Sequence, residues 1–143
     1  MHIRPLRDAD IAAICPLLAE LGYPSSELAV RARLAQLEQD GGYTSRVAER
    51  DGQLLGLMTL GKTWMIEMDG MQVRVTALVV AEQARGLGIG AALLDEAEHW
   101  AREQGATALQ LNSGTHRPEA HAFYQRCGFT HTGLRFYKRI GDA

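Results

Sequence analysis

The chain has 143 residues, 46% of them hydrophobic and 22% charged, with a formal net charge of −2. Such a chain makes one ordinary globular domain that buries roughly two-thirds of its unfolded surface. Its near-neutral balance argues against a nucleic-acid binder, the charges at Arg4, Arg7, Asp8 and Asp10 against a signal peptide, and the lack of long apolar runs against a membrane span. Residues 1–5 read as a first strand. Asp8 is the expected N-cap of a helix carrying Ile11, Ile14, Leu18 and Leu21 on one face, with a kink or break at Pro16. A second helix is expected from Ser25 or Ser26 through Leu28, Leu34 and Leu37 to Gly41-Gly42. Residues 44–50 and 53–62 flank Asp51-Gly52, a strong two-residue hairpin signal. Residues 71–80 alternate Met71, Val73, Val75, Ala77 and Val79 against Gln72, Arg74, Thr76 and Leu78, which predicts a strand. A helix after Gly90 turns Leu93, Leu94, Ala97, Trp100 and Ala101 inward and stops at Gly105. A strand over 107–112, a helix over 117–127 and a last pair of strands near 128–139 complete the expected order.

The most informative stretch joins the fourth of these strands to the helix after it: Arg85-Gly86-Leu87-Gly88-Ile89-Gly90-Ala91. The glycines remove Cβ atoms where a ligand would approach the backbone. The helix that follows offers unpaired N–H groups and the positive end of its dipole, an anion seat, to which Arg85 adds a fixed charge. A tight connection of no further meaning is the plain alternative. Gly86-x-Gly88-x-x-Ala91 also fits a dinucleotide fingerprint, but only about fifty residues follow, too few for a doubly wound domain. A P-loop is excluded because no Gly-Lys-Ser/Thr follows.

Downstream stands Arg117-Pro118-Glu119-Ala120-His121-Ala122-Phe123-Tyr124-Gln125-Arg126-Cys127-Gly128-Phe129. Together the two stretches resemble the GNAT superfamily of N-acetyltransferases. Arg85, Gly88 and Gly90 match its Gln/Arg-x-x-Gly-x-Gly/Ala motif. Ala120, Tyr124, Gly128 and Phe129 match its later Asn-x-x-Ala-x-x-x-Tyr and Gly-Phe pattern, with Arg117 where the family has Asn. The resemblance spans nearly the whole chain. It implies a single N-acetyltransferase domain over residues 1–143, an α/β (α+β) fold whose mixed, mostly antiparallel sheet has about six to seven strands flanked by about four helices. It implies acetyl-CoA as cosubstrate, a primary amine as acceptor, and direct attack of that amine in a ternary complex.

By the same resemblance, backbone N–H groups of Gly86, Leu87, Gly88, Ile89, Gly90 and Ala91 cradle the pyrophosphate. Leu78, Val79 and Val80 pair with the pantetheine arm, and an N–H among them polarises the thioester carbonyl. Plain core packing is compatible with this for all three, since side chains pack while backbone binds. Arg117 either reaches the phosphates or an acidic group, or stands in solvent. Tyr124 is the expected general acid, a phenol with a pKa near 10 suited to a departing thiolate. The strand over 71–80 holds no carboxylate. The base candidates are therefore Glu67 and Asp69 ahead of it, or His116 and His121, with water-mediated deprotonation as the alternative.

Glu67, Asp69 and Asp40 would line an acidic mouth suited to an aminoglycoside or another small cationic amine; solvated surface carboxylates are the bland alternative. A non-catalytic acetyl-CoA sensor and a protein or peptide N-acetyltransferase stay open as other functions. The two cysteines, Cys15 and Cys127, show neither metal-ligand nor redox spacing. They read as thiols of a reducing compartment, neither beside an evident base. No metal is expected, the cytoplasm is the expected location, and a homodimer is in keeping with relatives.

Overall fold

The computed structural model describes residues 1–112, 118–133 and 135–141. These belong to two compact units, Met1–Leu111 and Asn112–Ala143. The first unit runs β1 (His2–Pro5), α1 (Ile11–Leu21), α2 (Glu27–Asp40), β2 (Tyr43–Arg50), β3 (Gln53–Trp64), β4 (Met71–Val80), α3 (Ile89–Glu103) and β5 (Ala108–Leu111). Its strands form one sheet in the order β1-β2-β3-β4-β5, antiparallel throughout except for the parallel β4–β5 pair. The second unit contains α4 (Pro118–Arg126).

The hairpin at Asp51-Gly52 forms as its residues demand, with φ of 51° and 78° at the two positions. β3 is the central strand, and Leu55, Leu57, Met58 and Leu60 are buried along it because helices cover both its faces. On one face, a Cβ at Gly56 would lie 3.0 Å from Leu93 and 3.1 Å from Ile89, which puts α3 there. On the other face Arg4 of β1 reaches Asp10 just ahead of α1, at 2.7 and 2.9 Å. Each fully buried aliphatic such as Leu60 or Leu93 contributes about 1.5–3 kcal/mol.

Several expectations are corrected. The described residues form five strands, not six or seven, and no strand pair forms over 128–133 and 135–141. Phe136, Tyr137 and Ile140 stand exposed there, so that run has neither a ladder partner nor a face to bury. α1 passes through Pro16 without a break. Its buried anchors Ile11, Ile14 and Leu17, each at most 3% exposed, outweigh the hydrogen bond Pro16 cannot make. Leu17 takes the buried place expected for Leu18, and a short 3-10 turn at Asp8–Asp10 precedes the helix, with Asp10 as its N-cap. Ser26 does cap α2, accepting from the Ala29 N–H at 3.1 Å. Of the three leucines expected to pack there, Leu28 is exposed and Leu34 and Leu37 are half-buried, while the buried residue is Val30, which was not anticipated. Trp100 is half-buried, with the Lys62 ammonium 5.9 Å from its ring centre.

Candidate active site

The alternation expected along β4 is interrupted. Thr59 pairs with Ala77 and Leu60 with Val75, so Thr76 is an extra residue, a β-bulge. Its hydroxyl donates to the Thr59 carbonyl at 3.3 Å. Met71, Val73 and Val75 therefore share the α3 face with Lys62 and Leu60, whereas Ala77 and Val79 share the α1 face with Thr59 and Leu57. β5 pairs with β4 only from Gln72 to Val75. Beyond Val75 that edge of β4 has no strand beside it among the described residues. The Ala81 N–H donates to the Leu55 carbonyl at 2.8 Å, so by alternation the polar groups of Val79 point to β3. Those of Leu78 and Val80 point to the open edge. An extended ligand can add there as a strand does.

The chain leaves β4 through a 3-10 turn at Glu82–Ala84 and enters α3 at Ile89. Gly86 and Gly88 hold left-handed φ values of 83° and 81°, and a Cβ at either would meet no protein atom within 4 Å. Gly88 is the N-cap and has no side chain to satisfy the first turn. The first helical bond runs from the Ala92 N–H to the Gly88 carbonyl, 3.0 Å, so the N–H groups of Ile89, Gly90 and Ala91 precede any partner in their own helix. Arg85, Gly86, Leu87 and Gly88 are exposed, while Ile89 is buried and anchors the turn. The arrangement fits a pyrophosphate: open space where two Cβ atoms would stand, a crown of N–H donors, a dipole end and an arginine.

In the second unit, the spacing from Tyr124 to Phe129 has a structural cause. The Phe129 N–H donates to the Tyr124 carbonyl at 3.0 Å and the Gly128 N–H to the Gln125 carbonyl at 3.0 Å, with Gly128 at φ 93°. This is a Schellman cap. The Phe129 ring meets the Tyr124 ring edge-on at 6.2 Å, the hydrophobic contact such a cap brings. Burial, and secondly the neighbouring Cys127, pushes the Tyr124 phenol above its usual value, so it stays a neutral proton donor. The His121 ring lies 5.4 Å from that of His131. Arg117 and His116 lie outside the described residues.

Leu78, Val79, Val80 and the residues from Arg85 to Ala91 are brought together at the end of β4. Glu67 and Asp69 are not brought to them. Both stand exposed in the turn between Trp64 and Met71, and from Met71 to Leu78 the strand runs about 23 Å. Along the sheet, Glu67 thus stands at the far end of β4 from Leu78. Asp40 has its own local role, accepting from the Gly42 N–H at 3.3 Å. Cys15 donates to the Ile11 carbonyl at 3.3 Å. Sequence reasoning missed the bulge at Thr76. Thr76 falls in phase with the polar positions of the alternation, and the available signal was the apolar Leu78 at the next of them.

The sequence model of the acetyltransferase (GNAT) family matches residues 11–129. The aminoalkylphosphonate N-acetyltransferase of Salmonella typhimurium is 33% identical over 134 residues, 93% of this chain and 84% of that protein. Among solved structures, glucosamine-6-phosphate N-acetyltransferase from Arabidopsis thaliana superposes with a TM-score of 0.85 at 18% identity, over 98% of each chain. An aminoglycoside antibiotic 6'-N-acetyltransferase from Acinetobacter haemolyticus gives 0.81 at 21% identity, over 99% of this chain and 100% of that one. At such identities the two structures establish a shared fold and nothing finer. No helix among the described residues is long and apolar enough to cross a membrane.

Proposed function

The chain is an acyltransferase of the acetyltransferase (GNAT) family, and from that premise we propose that it carries the acetyl group of acetyl-CoA to a primary amine by direct attack in a ternary complex. The observation that carries this reading is the course of β4: unpaired on one edge from Thr76 to Val80, it runs straight into the glycine turn and the N-terminus of α3. A strand edge and an anion seat in series suit a ligand with an extended amide-bearing arm and a pyrophosphate. Acetyl-CoA, when bound, supplies the activated acyl group. Leu78 and Val80 offer edge N–H and C=O groups to the arm, and the N–H groups from Gly86 to Ala91 together with Arg85 hold the phosphates. Tyr124 is the proposed proton donor to the leaving sulfur, supported by the burial that keeps its phenol neutral. For deprotonation of the amine, water, His116 or His121 is favoured over Glu67 and Asp69, which stand at the far end of β4. The match over residues 11–129 spans both units and supports treating residues 1–143 as one catalytic domain.

The acceptor is a small primary amine. An aminoglycoside or other small cationic amine suits the carboxylates at Glu67, Asp69 and Asp40, whereas an aminoalkylphosphonate, the acceptor in the name of the Salmonella relative, needs a cation. The test is thiol release from acetyl-CoA across aminoglycosides, polyamines, amino acids, aminoalkylphosphonates and short peptides. Release with one group establishes catalysis and the acceptor class. Silence across the panel, with acetyl-CoA still bound in calorimetry, replaces this reading with a protein acceptor or a cofactor sensor.

A further inference from the structure

One row of residues crosses the first unit's sheet on the face away from α3. Tyr43 pairs with Gly61, Gly61 with Arg74, and Arg74 with Gln110, joining β2, β3, β4 and β5. The row's face is fixed by its neighbour Lys62, which reaches Trp100 of α3 on the opposite side. Gly61 is there for a steric reason: a Cβ would stand 2.4 Å from the Tyr43 ring, which lies over the strand at that point. Next in the row is Arg74, half-buried and held by no hydrogen bond or ion pair among the described residues. That is unusual company for a cation. Among the described residues, the other arginines that are not exposed, Arg4 and Arg46, are each paired with carboxylates. On the far side Gln110 donates to the Gln72 Oε1 at 2.9 Å, which fixes its amide and leaves its second N–H uncommitted among the described residues.

We propose that Arg74, with the Gln110 amide beside it, binds an oxyanion carried by the acceptor amine, so that the acceptor is a short amine bearing a phosphonate, phosphate or carboxylate. The inference rests on the acetyltransferase reading above and names its substrate class. A half-buried guanidinium is partly desolvated, so a charged partner gains more there than at a free surface. Its fork matches planar and tetrahedral oxyanions in two-pronged fashion. The position is apt: Arg74 stands on the same strand as Leu78, four residues and about 13 Å away, a separation that an arginine side chain and a short amine would have to bridge between them. The bulge at Thr76 puts Arg74 on the α1 face, clear of α3. The preference expected from the acidic carboxylates is thereby reversed, since Glu67 and Asp69 lie in the turn beyond the row.

The experiment compares kcat/KM for 2-aminoethylphosphonate, β-alanine and ethanolamine in the wild-type chain, Arg74→Gln and Arg74→Lys. Wild type is expected to prefer the anionic amines. Arg74→Gln is expected to lose about tenfold to a hundredfold more on them than on ethanolamine, chiefly in KM, with Arg74→Lys restoring part of the loss. A phosphonate-only or carboxylate-only effect decides between the two anions. An equal loss on all three amines, or none, overturns the proposal while leaving the acetyltransferase reading intact. Thiol release from no amine, together with no calorimetric binding of 2-aminoethylphosphonate to the CoA-saturated protein, overturns both.

Discussion

Gly88 separates what the fold needs from what a ligand needs. It holds φ 81° at the N-cap of α3, and a Cβ placed on it meets no protein atom within 4 Å. Gly88→Ala therefore costs the fold only the left-handed strain of an L-residue, about 1–2 kcal/mol, and lowers Tm by several degrees. Gly105 is the control. It holds φ 76° at the other end of the same helix, also with nothing within 4 Å, and its N–H donates to the Arg102 carbonyl at 3.1 Å. Gly105→Ala carries the same backbone strain far from the anion seat. The affinities should then diverge. On the proposed phosphate seat the new methyl at 88 would stand against the N–H crown, and losing one or two hydrogen bonds to a charged ligand should reduce acetyl-CoA affinity about tenfold to a hundredfold. Calorimetric titration with acetyl-CoA, paired with urea unfolding of both variants, reads the two effects separately. Equal affinities in the two variants, at equal loss of stability, would refute the assignment of the turn as the phosphate seat.

Tyr124→Phe is expected to lower turnover about a hundredfold or more with the KM for acetyl-CoA little changed. Because burial raises the phenol above 10.0, wild-type activity should fall only as pH rises past that value, and the variant should lack this limb; an unchanged rate removes the acid role. Arg4 is the main cause that holds the Asp10 carboxyl below its usual 3.8, and the Arg7 N–H at 2.8 Å adds to it. The folded pKa is the lower one, so this contribution to stability is present above 3.8 and is lost as pH falls through the folded value. Asp10→Asn should lower the urea midpoint at pH 7 and flatten its decline below pH 4; parallel profiles would count against the pairing. Glu67→Gln should leave the acid limb of the pH–rate profile in place, and a limb that shifts would return Glu67 to the chemistry. His121→Ala shifts that limb if His121 accepts the amine's proton, and an unshifted limb leaves the water route.

The elements with strong local signals were legible: Asp51-Gly52 for the hairpin, Ser26 for the start of α2, the 3.6-residue apolar period of α3. The glycine turn was legible for the same reason, since backbone conformation and helix ends are written in single residues. What escaped depended on partners distant in the chain. Leu28 and Leu18 have the apolar character of core residues, yet which helical positions face the sheet is set by β1 to β4. Pro16 signals a break that three buried anchors override. Of the site, Glu67 is close to Leu78 in sequence but is carried away by the length of β4. The pattern Tyr124 to Phe129 was read only as a family motif, and in the structure it is a helix cap, a role that needs no ligand.

The bulge at Thr76 ties these features together. Without an extra residue, a strand keeps every second side chain on one face, so Val73, Val75, Ala77 and Val79 would all face alike. In this sheet Val73 and Val75 pack toward α3, and Val79 packs toward α1. One inserted residue thus lets both halves of β4 bury their valines, each under a different helix. It also decides where the polar residues go, since Gln72 and Arg74 take the α1 face, beside Gly61 and Gln110. Keep Thr76 but pair it in a regular ladder, and a slip of one residue turns Arg74 and Gln72 into α3 and Val73 and Val75 out of the core. β5 keeps company with β4 only up to Val75, so the strand changes face and loses its neighbour at the same place. The open edge at Leu78 and Val80 thus begins where the inserted residue turns the strand over, with Arg74 on one side of that point and the edge on the other.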